Sequence, residues 1–401
     1  VCKLPFQAKV KILLVPGRGR VGQRHENPAC QHARAGEPAR MRHPGVQGAR
    51  QCVALLLGTA AMLAAYFLDF SLLGRFALPL ALVFHAALIP LSLLPVGGFW
   101  LFRYTYVSTH ILLRGLPPLL PLMFAVLLYA LRGRRGWGVF AAFVCLAVQC
   151  MFCLRVPCLL DLGFLFLCDS ALLIFCARNG WFGLGKKLET LLTTLPLAAD
   201  IVWVLVLGAN WFARQLAIAL DPHSYIDGHG YQTVVLRELL QNAKFIGPGG
   251  VGPYSAQHLA RWEGFGMVDL QAHALTLLVH RCGWLALIAL VTLLTALLVL
   301  AFRRCRRQES MLARLVSYSV LLSFTTQALA YLLSDLTLLP FSAAAFPLFT
   351  FGLRTLLVNM TQLGFLLSTL RVGSVVRDKD VAAGPVRPRR RLHVSFSWEK
   401  A

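Results

Sequence analysis

Long apolar runs separated by short basic loops constrain this chain more than any other feature. They stand at 52–73, 76–98, 113–132, 138–157, 160–177, 189–208, 272–302, 311–335 and 343–370. A helix rises about 1.5 Å per residue, so about 20 apolar residues cross the roughly 30 Å of hydrocarbon in a bilayer. Inside hydrocarbon a segment of this length satisfies its own backbone only as a helix. The expected fold is therefore all-α, a polytopic membrane helical bundle of about nine transmembrane helices. Composition agrees. Of the 401 residues 57% are hydrophobic and 14% charged, with a mean hydropathy of +0.66. That is more apolar surface than a soluble domain of this length hides.

The net charge of +22 argues for topology rather than for nucleic acid, because Lys and Arg fall in small clusters between the runs and form no single patch. One set of loops carries Arg75, then Arg132, Arg134 and Arg135, then Arg178, Lys186 and Lys187, then Arg303, Arg304, Arg306 and Arg307. The short loops of the alternate set hold little beyond Arg103 and Arg155, and 336–342 holds no basic residue. Positive residues remain on the cytoplasmic side, so the rich set is expected inside. The basic tail at 373–401, with Arg377, Lys379, Arg387, Arg389, Arg390 and Arg391, then lies in the cytoplasm. Residues 1–49 fall outside the bundle at 50–372. Residues 1–50 carry ten Lys and Arg against Glu26 and Glu37, and show no helical period. With nine spans this segment sits on the outer side, against the charge rule. A misassigned extension ahead of Met41 accounts for that; the other reading is a disordered basic arm on anionic lipid.

Eight of the eleven cysteines (Cys52, Cys145, Cys150, Cys153, Cys158, Cys168, Cys176 and Cys282) lie in or beside apolar runs, where a thiol behaves as a small hydrophobe. Cys150 and Cys153 have the spacing of a metal pair, but no second pair or His cluster follows. No cofactor is evident, and a divalent cation is left open.

The largest polar segment, 209–271, forms one large outer loop between the sixth and seventh runs. It holds Asp221-Pro222, Asp227, Gly228 and Gly230, an amphipathic stretch at 231–245, and a turn with Gly247, Gly249, Gly250 and Gly252. Long loops in compact proteins usually carry function.

Two constellations resemble a known family. Gln327, Pro340, Pro347, Thr350, Phe351, Gly352, Asn359 and Gly364 keep the spacing of the C-terminal pattern of the SEDS proteins, the FtsW, RodA and SpoVE group of bacterial cell-wall synthesis. Thr350 and Phe351 stand where Ser and Tyr are usual. In the outer loop Arg214, Asp221, Pro222, Gly230, Tyr231, Gln232, Gly247 and Gly249 resemble the family's Arg, Asp-Pro, Gly-Tyr-Gln and Gly-x-Gly. Pro157 with Asp161-Leu162-Gly163, and Arg50-Gln51, resemble further family stretches. The last opens the family's second span, so this chain is expected to start at span two of a family bundle of ten.

The resemblance implies a peptidoglycan glycosyltransferase. Such proteins polymerise glycan strands from lipid II, a disaccharide-pentapeptide on undecaprenyl pyrophosphate, at the outer face of the cytoplasmic membrane. A class B penicillin-binding protein is the partner transpeptidase, in division, cell shape or sporulation. The implied substrate contacts are Arg214, Tyr231, Gln232, Gly247, Gly249, His273, Gln327, Pro347, Thr350, Gly352 and Asn359. The chemistry needs a base at the acceptor hydroxyl and positive or dipolar groups at the departing pyrophosphate. The donor is α-linked and the product β-linked, so one in-line displacement with a single carboxylate suffices. The family's carboxylate position is Ala272 here, and Asp269, about one helical turn earlier, is the candidate catalytic base. Glu263 and Asp227 are weaker alternatives.

Departures from the family support two further readings. Gly97-Gly98-Phe99-Trp100 replaces Asn-Gly-Ala-Arg-Arg-Trp, Pro117-Pro118-Leu119-Leu120 replaces a stretch with Glu and Lys, and His280 and Arg281 replace a Glu pair. A catalytically degenerate relative that binds lipid II or scaffolds a transpeptidase fits these losses. A transporter of a lipid-linked substrate would use the intramembrane Asp161, Asp169, Asp200, Gln327 and Asp335, which by default face a cavity or a partner. Arg354 is read either as a pyrophosphate contact or as a snorkelling side chain.

Overall fold

The computed structural model describes residues 44–68, 70–93, 99–101, 105–107, 115–155, 159–183, 209–226, 230–255, 273–338, 346–349 and 353–373, with isolated positions between 185 and 202. Helix α1 spans Pro44–Phe67, with proline at its first position, where a missing N–H costs nothing. A short α2, Ser71–Arg75, leads into α3, Ala77–Leu93, which contains Pro90. Two strands follow, β1 at Phe99–Leu101 and β2 at Thr105–Val107, paired antiparallel with Trp100 opposite Tyr106. This hairpin departs from the purely helical expectation. Its run of aromatic and β-branched residues favours extended backbone.

A 3₁₀ turn at Pro117–Leu119 opens α4, Leu120–Ala130. Prolines at 117, 118 and 121 stand in this entry turn, whose N–H groups lack helical partners in any case. Every residue of α4 from Leu120 to Leu128 is buried, so it is a central helix, apolar on all sides. It packs against α3, against α5 (Arg135–Arg155), against α6 (Leu159–Arg178) and against α11 (Met311–Asp335). Phe124, Leu127 and Leu128 of α4 share one apolar cluster with Ala81 of α3, Ala142 of α5 and Leu172 of α6. The remaining long helices are α10 at Trp284–Cys305 and α12 at Leu353–Val372. The sixth apolar run, 189–208, lies almost wholly outside the described residues.

Among the described residues four helices are long and apolar enough to cross a membrane: Ala49–Phe67, Gly136–Cys153, Trp284–Cys305 and Met311–Asp335. Ala77–Leu93 and Pro117–Ala130 are shorter apolar helices. Helix α10 leaves Leu293 70% and Leu300 61% exposed. Surface this greasy is stable only against lipid.

Two apolar runs are not single helices. The run 272–302 breaks into α9, Ala274–Cys282, and α10. Gly283 between them has φ +95°, and a Cβ there would lie 2.5 Å from the Phe245 carbonyl. The run 343–370 becomes helical only at Leu353, and Leu348 before it takes φ 64°. A third positive φ, 59°, falls on Thr337, just past the end of α11. Here the Leu338 N–H donates to the Leu333 carbonyl and the Thr337 N–H to the Ser334 carbonyl, a closing motif that normally places glycine at this position. A β-branched residue in it is strained by roughly 1 kcal/mol or more. Thr337→Gly is therefore expected to raise unfolding stability in detergent by about 0.5–1 kcal/mol, net of the weak 3.4 Å bond from Arg237 Nε to the Thr337 hydroxyl. A lower melting temperature in the variant would contradict this.

Candidate functional site

The polar segment between the sixth and seventh apolar runs holds short helices and turns. Helix α7, Ala209–Leu220, is followed by a 3₁₀ turn at His223–Tyr225 and by α8, Tyr231–Gln241. The amphipathic pattern read at 231–245 is realised in α8, whose Val234, Val235, Leu236, Leu239 and Leu240 are buried. Arg237 ties the segment together: its guanidinium donates to the Ala219 carbonyl at the end of α7 and to the Thr337 hydroxyl beyond α11. Glu238 accepts the Ser255 N–H at 2.7 Å. Asp221 accepts from the Ser224 hydroxyl, and this bond, first among its influences, holds the exposed carboxyl below the usual range.

The glycine turn after α8 docks on the break between α9 and α10. Gly247 N–H donates to the Cys282 carbonyl at 3.2 Å and Gly249 N–H to the His280 carbonyl at 2.7 Å. In return Trp284 N–H donates to the Lys244 carbonyl and Leu285 N–H to that of Phe245. A Cβ at Gly249 would stand 2.7 Å from the Asn242 carbonyl. These glycines allow two stretches of backbone to approach, and the N–H groups of Gly247 and Gly249 are engaged inside the protein.

The polar centre lies where α8, α9 and α11 meet. His273 caps α9, and its Nδ1–H donates to Asp335 Oδ1 at 2.7 Å. The other carboxylate oxygen, Oδ2, accepts the Thr276 N–H at 2.7 Å, and the Thr276 hydroxyl donates to the Asp335 carbonyl at 2.8 Å. The Tyr331 hydroxyl accepts the Ala274 N–H at 2.9 Å. The first turn of a helix has N–H groups with no internal partner and a positive dipole end, so a buried start must be capped. Helix α11 supplies that cap through Tyr331 and Asp335, one turn apart. Gln232 completes the chain, its amide N–H donating to His273 Nε2. Asp335 and His273 are buried, whereas Gln232 is exposed. Both ring nitrogens of His273 are thus engaged, one by the buried Asp335 and the other by the exposed amide of Gln232.

Of the residues expected at a substrate site, Gln232 and His273 come together here, and Tyr231 stands half-buried at the start of α8 beside Gln232. Arg214 belongs to α7, and Pro347 is buried in the bend before α12. Gln327 and Asn359 lie elsewhere. Gln327 is eight residues before Asp335 on α11, hence about 12 Å deeper along the helix. Its amide donates to the Ser323 hydroxyl at 2.9 Å, while buried Asn359 has no hydrogen-bond partner among the described residues. The expected residues thus fall into two groups, one around His273 and Asp335 and one further along the helices. Asp269, Glu263, Asp227, Asp200, Thr350 and Gly352 lie outside the described residues. Arg354 is exposed on α12. Thr276 and Tyr331 were not among the expected residues; Tyr331, four positions before a span-end carboxylate, was the available signal. No group of three or more His, Cys, Asp or Glu able to hold a metal occurs among the described residues.

No protein-family model matches the sequence, and no curated protein matches it. Solved structures do. A chain from a study of the structural coordination of polymerization and crosslinking by a peptidoglycan synthase complex has a TM-score of 0.56 and 20% identity, covering 83% of this chain and 92% of that chain. The rod shape determining protein RodA of Thermus thermophilus has a TM-score of 0.50 and 18% identity, covering 82% of this chain and 88% of that chain. At such identities the likeness is one of fold. This chain is an integral membrane protein with a RodA-type helical fold.

Proposed function

We propose that this protein is a SEDS-type peptidoglycan glycosyltransferase of the bacterial cytoplasmic membrane, with its basic C-terminal tail inside and its site at the outer leaflet. One observation carries the reading. On a RodA-type fold, the buried His273–Asp335 pair fixes the start of α9 at the C-terminal end of α11. Asp269 precedes His273 by four residues, so chain length alone keeps their α-carbons within about 14 Å.

In this reading Asp269 takes the proton of the acceptor sugar hydroxyl. The hydroxyl oxygen forms the new bond at the anomeric carbon of lipid II, and the bond to pyrophosphate breaks with its electron pair. Undecaprenyl pyrophosphate leaves, and the α-linked donor becomes a β-linked product. His273 and Gln232 line the approach and position the acceptor, Arg214 offers positive charge to the departing pyrophosphate, and Asp335 acts through His273. A class B penicillin-binding protein is the partner that crosslinks the strand.

The second reading, a lipid II-binding scaffold, draws on the entry turn of α4. Where family members carry charge, Pro118 here offers only a carbonyl, which accepts from Ser323 and Gln362.

Purified protein with fluorescent lipid II, with and without a class B transpeptidase, separates the two. Polymer is expected, and Asp269→Asn is expected to reduce it by about 10²–10⁴-fold with an unchanged melting temperature. Polymer at the wild-type level from Asp269→Asn removes that residue as base. Lipid II binding without polymer from the wild-type protein favours the scaffold.

A further inference from the structure

Asp169 of α6 is fully buried, and neither of its carboxyl oxygens has a hydrogen-bond partner among the described residues. Its direction follows from its neighbours. Leu165, Asp169 and Leu172 share one helix face by their four- and three-residue spacing. Leu165 packs in one apolar cluster with Leu120, and Leu172 in the next with Phe124. Asp169 therefore faces the first turns of α4. The same stretch is addressed from α5 by Gln149, also fully buried.

The amide of Gln149 cannot be reversed. His85 Nδ1–H donates to the Ala81 carbonyl at 2.8 Å, which leaves Nε2 bare as an acceptor. Gln149 Nε2 donates to that nitrogen at 3.0 Å and to the Leu120 carbonyl at 3.4 Å. Exchanging nitrogen and oxygen would set the amide oxygen against two acceptors. Gln149 Oε1 is thus a fixed, buried acceptor with no partner among the described residues. The unsatisfied atoms of Gln149, Asp169 and the neighbouring Ser170 are all oxygens, and the carboxyl among them brings a negative charge when ionised. Polar groups so deep are normally satisfied, and a lone buried carboxylate is expensive. Oxygen donors select hard cations. A single carboxylate is neutralised by one positive charge, whereas a divalent ion would leave the core charged.

We propose that Asp169 and Gln149 bind a monovalent alkali cation, Na⁺, in the core formed by α3, α4, α5 and α6. The site is independent of the glycosyltransferase reading and stands if that reading fails.

The test is thermal unfolding of the purified full chain in detergent, with NaCl exchanged for choline chloride at constant ionic strength, alongside equilibrium dialysis with ²²Na⁺. The wild-type melting temperature is expected to rise by about 5 °C at saturating Na⁺, with one ion bound per chain. Asp169→Asn abolishes both effects, and Gln149→Leu shifts the midpoint about tenfold higher in Na⁺. A wild-type protein indifferent to Na⁺ overturns the proposal and means that Asp169 is protonated. A shift retained in Asp169→Asn overturns it equally, because the ion then binds elsewhere. Should Asp169→Asn fail to fold, the wild-type titration and Gln149→Leu decide.

Discussion

Asp335→Ala is expected to lower the unfolding stability of the detergent-solubilised protein by about 3–5 kcal/mol, the cost of removing one partner from a buried polar pair. Asp335 is 1% exposed, and its carboxylate accepts the His273 Nδ1–H and the Thr276 N–H, each at 2.7 Å. Its loss strands both donors in a site that water does not reach, and each stranded donor costs about 1–3 kcal/mol. It also removes negative charge from the positive end of α9. Asp335→Asn keeps one oxygen but turns an NH₂ toward a donor, so its cost falls between those of the alanine variant and the wild type. Tyr331→Phe, which leaves the Ala274 N–H unanswered, is expected to cost about 1 kcal/mol. Because His273 and Asp335 are in contact, a double-mutant cycle to alanine should show coupling above about 0.5 kcal/mol. Chemical or thermal denaturation reads all of these variants. An Asp335→Ala protein within about 1 kcal/mol of wild type would mean that the capping of α9 by α11 contributes little.

The helices of the bundle were legible because lipid imposes one rule on sequence: about 20 apolar residues in a row. Residues 138–157 and 311–335 were read as spans, and helices at Gly136–Cys153 and Met311–Asp335 meet that criterion. What apolar length does not reveal is where such a run bends. Run 272–302 is continuous in hydropathy, yet it breaks at Gly283 because the Lys244 and Phe245 carbonyls dock there. That docking joins residues forty positions apart, beyond the reach of any local pattern. The same holds for the entry of α12, where Leu348 at φ 64° interrupts a run that reads as unbroken. At the candidate site, Gln232 and His273 were found because a family spacing pointed to them. Asp335 was legible only as a carboxylate in need of a partner; which partner depended on how α9 begins. Gln327, grouped with Gln232 and His273 by spacing alone, stands eight residues along α11 from Asp335, a separation in space that a linear motif does not carry.

The second large effect is expected where α1 and α12 touch. A Cβ at Gly364 would lie 2.3 Å from the Met62 carbonyl oxygen and 2.7 Å from the Ala65 Cβ. Both obstacles belong to a helix and cannot swing aside. Between membrane helices lipid supplies no hydrophobic drive, so close approach of backbones through small residues is what holds them. Hydrogen bonds fix the alignment near one end of the pair: Phe70 N–H donates to the Ser368 hydroxyl at 3.3 Å, and that hydroxyl donates to the Leu68 carbonyl at 3.4 Å. Arg371 lies over the Tyr66 ring at 4.6 Å. The helices therefore cannot slide to admit a methyl group, and they must separate. Gly364→Ala gains about 1 kcal/mol in helix propensity but is expected to lose about 3 kcal/mol through overpacking against backbone, a net loss; Gly364→Leu should prevent the two helices from docking. Gly58, on α1, is the internal control. Its nearest neighbours are the Met360 Cγ at 3.2 Å and the Leu356 Cγ at 3.5 Å, both on side chains that can rotate away. Gly58→Ala is thus expected to be neutral or to stabilise by up to about 1 kcal/mol. Melting temperatures in detergent, measured for the two alanine variants side by side, decide the matter. Equal losses at both positions, or none at Gly364, would show that α1 and α12 are not held by backbone contact at this glycine.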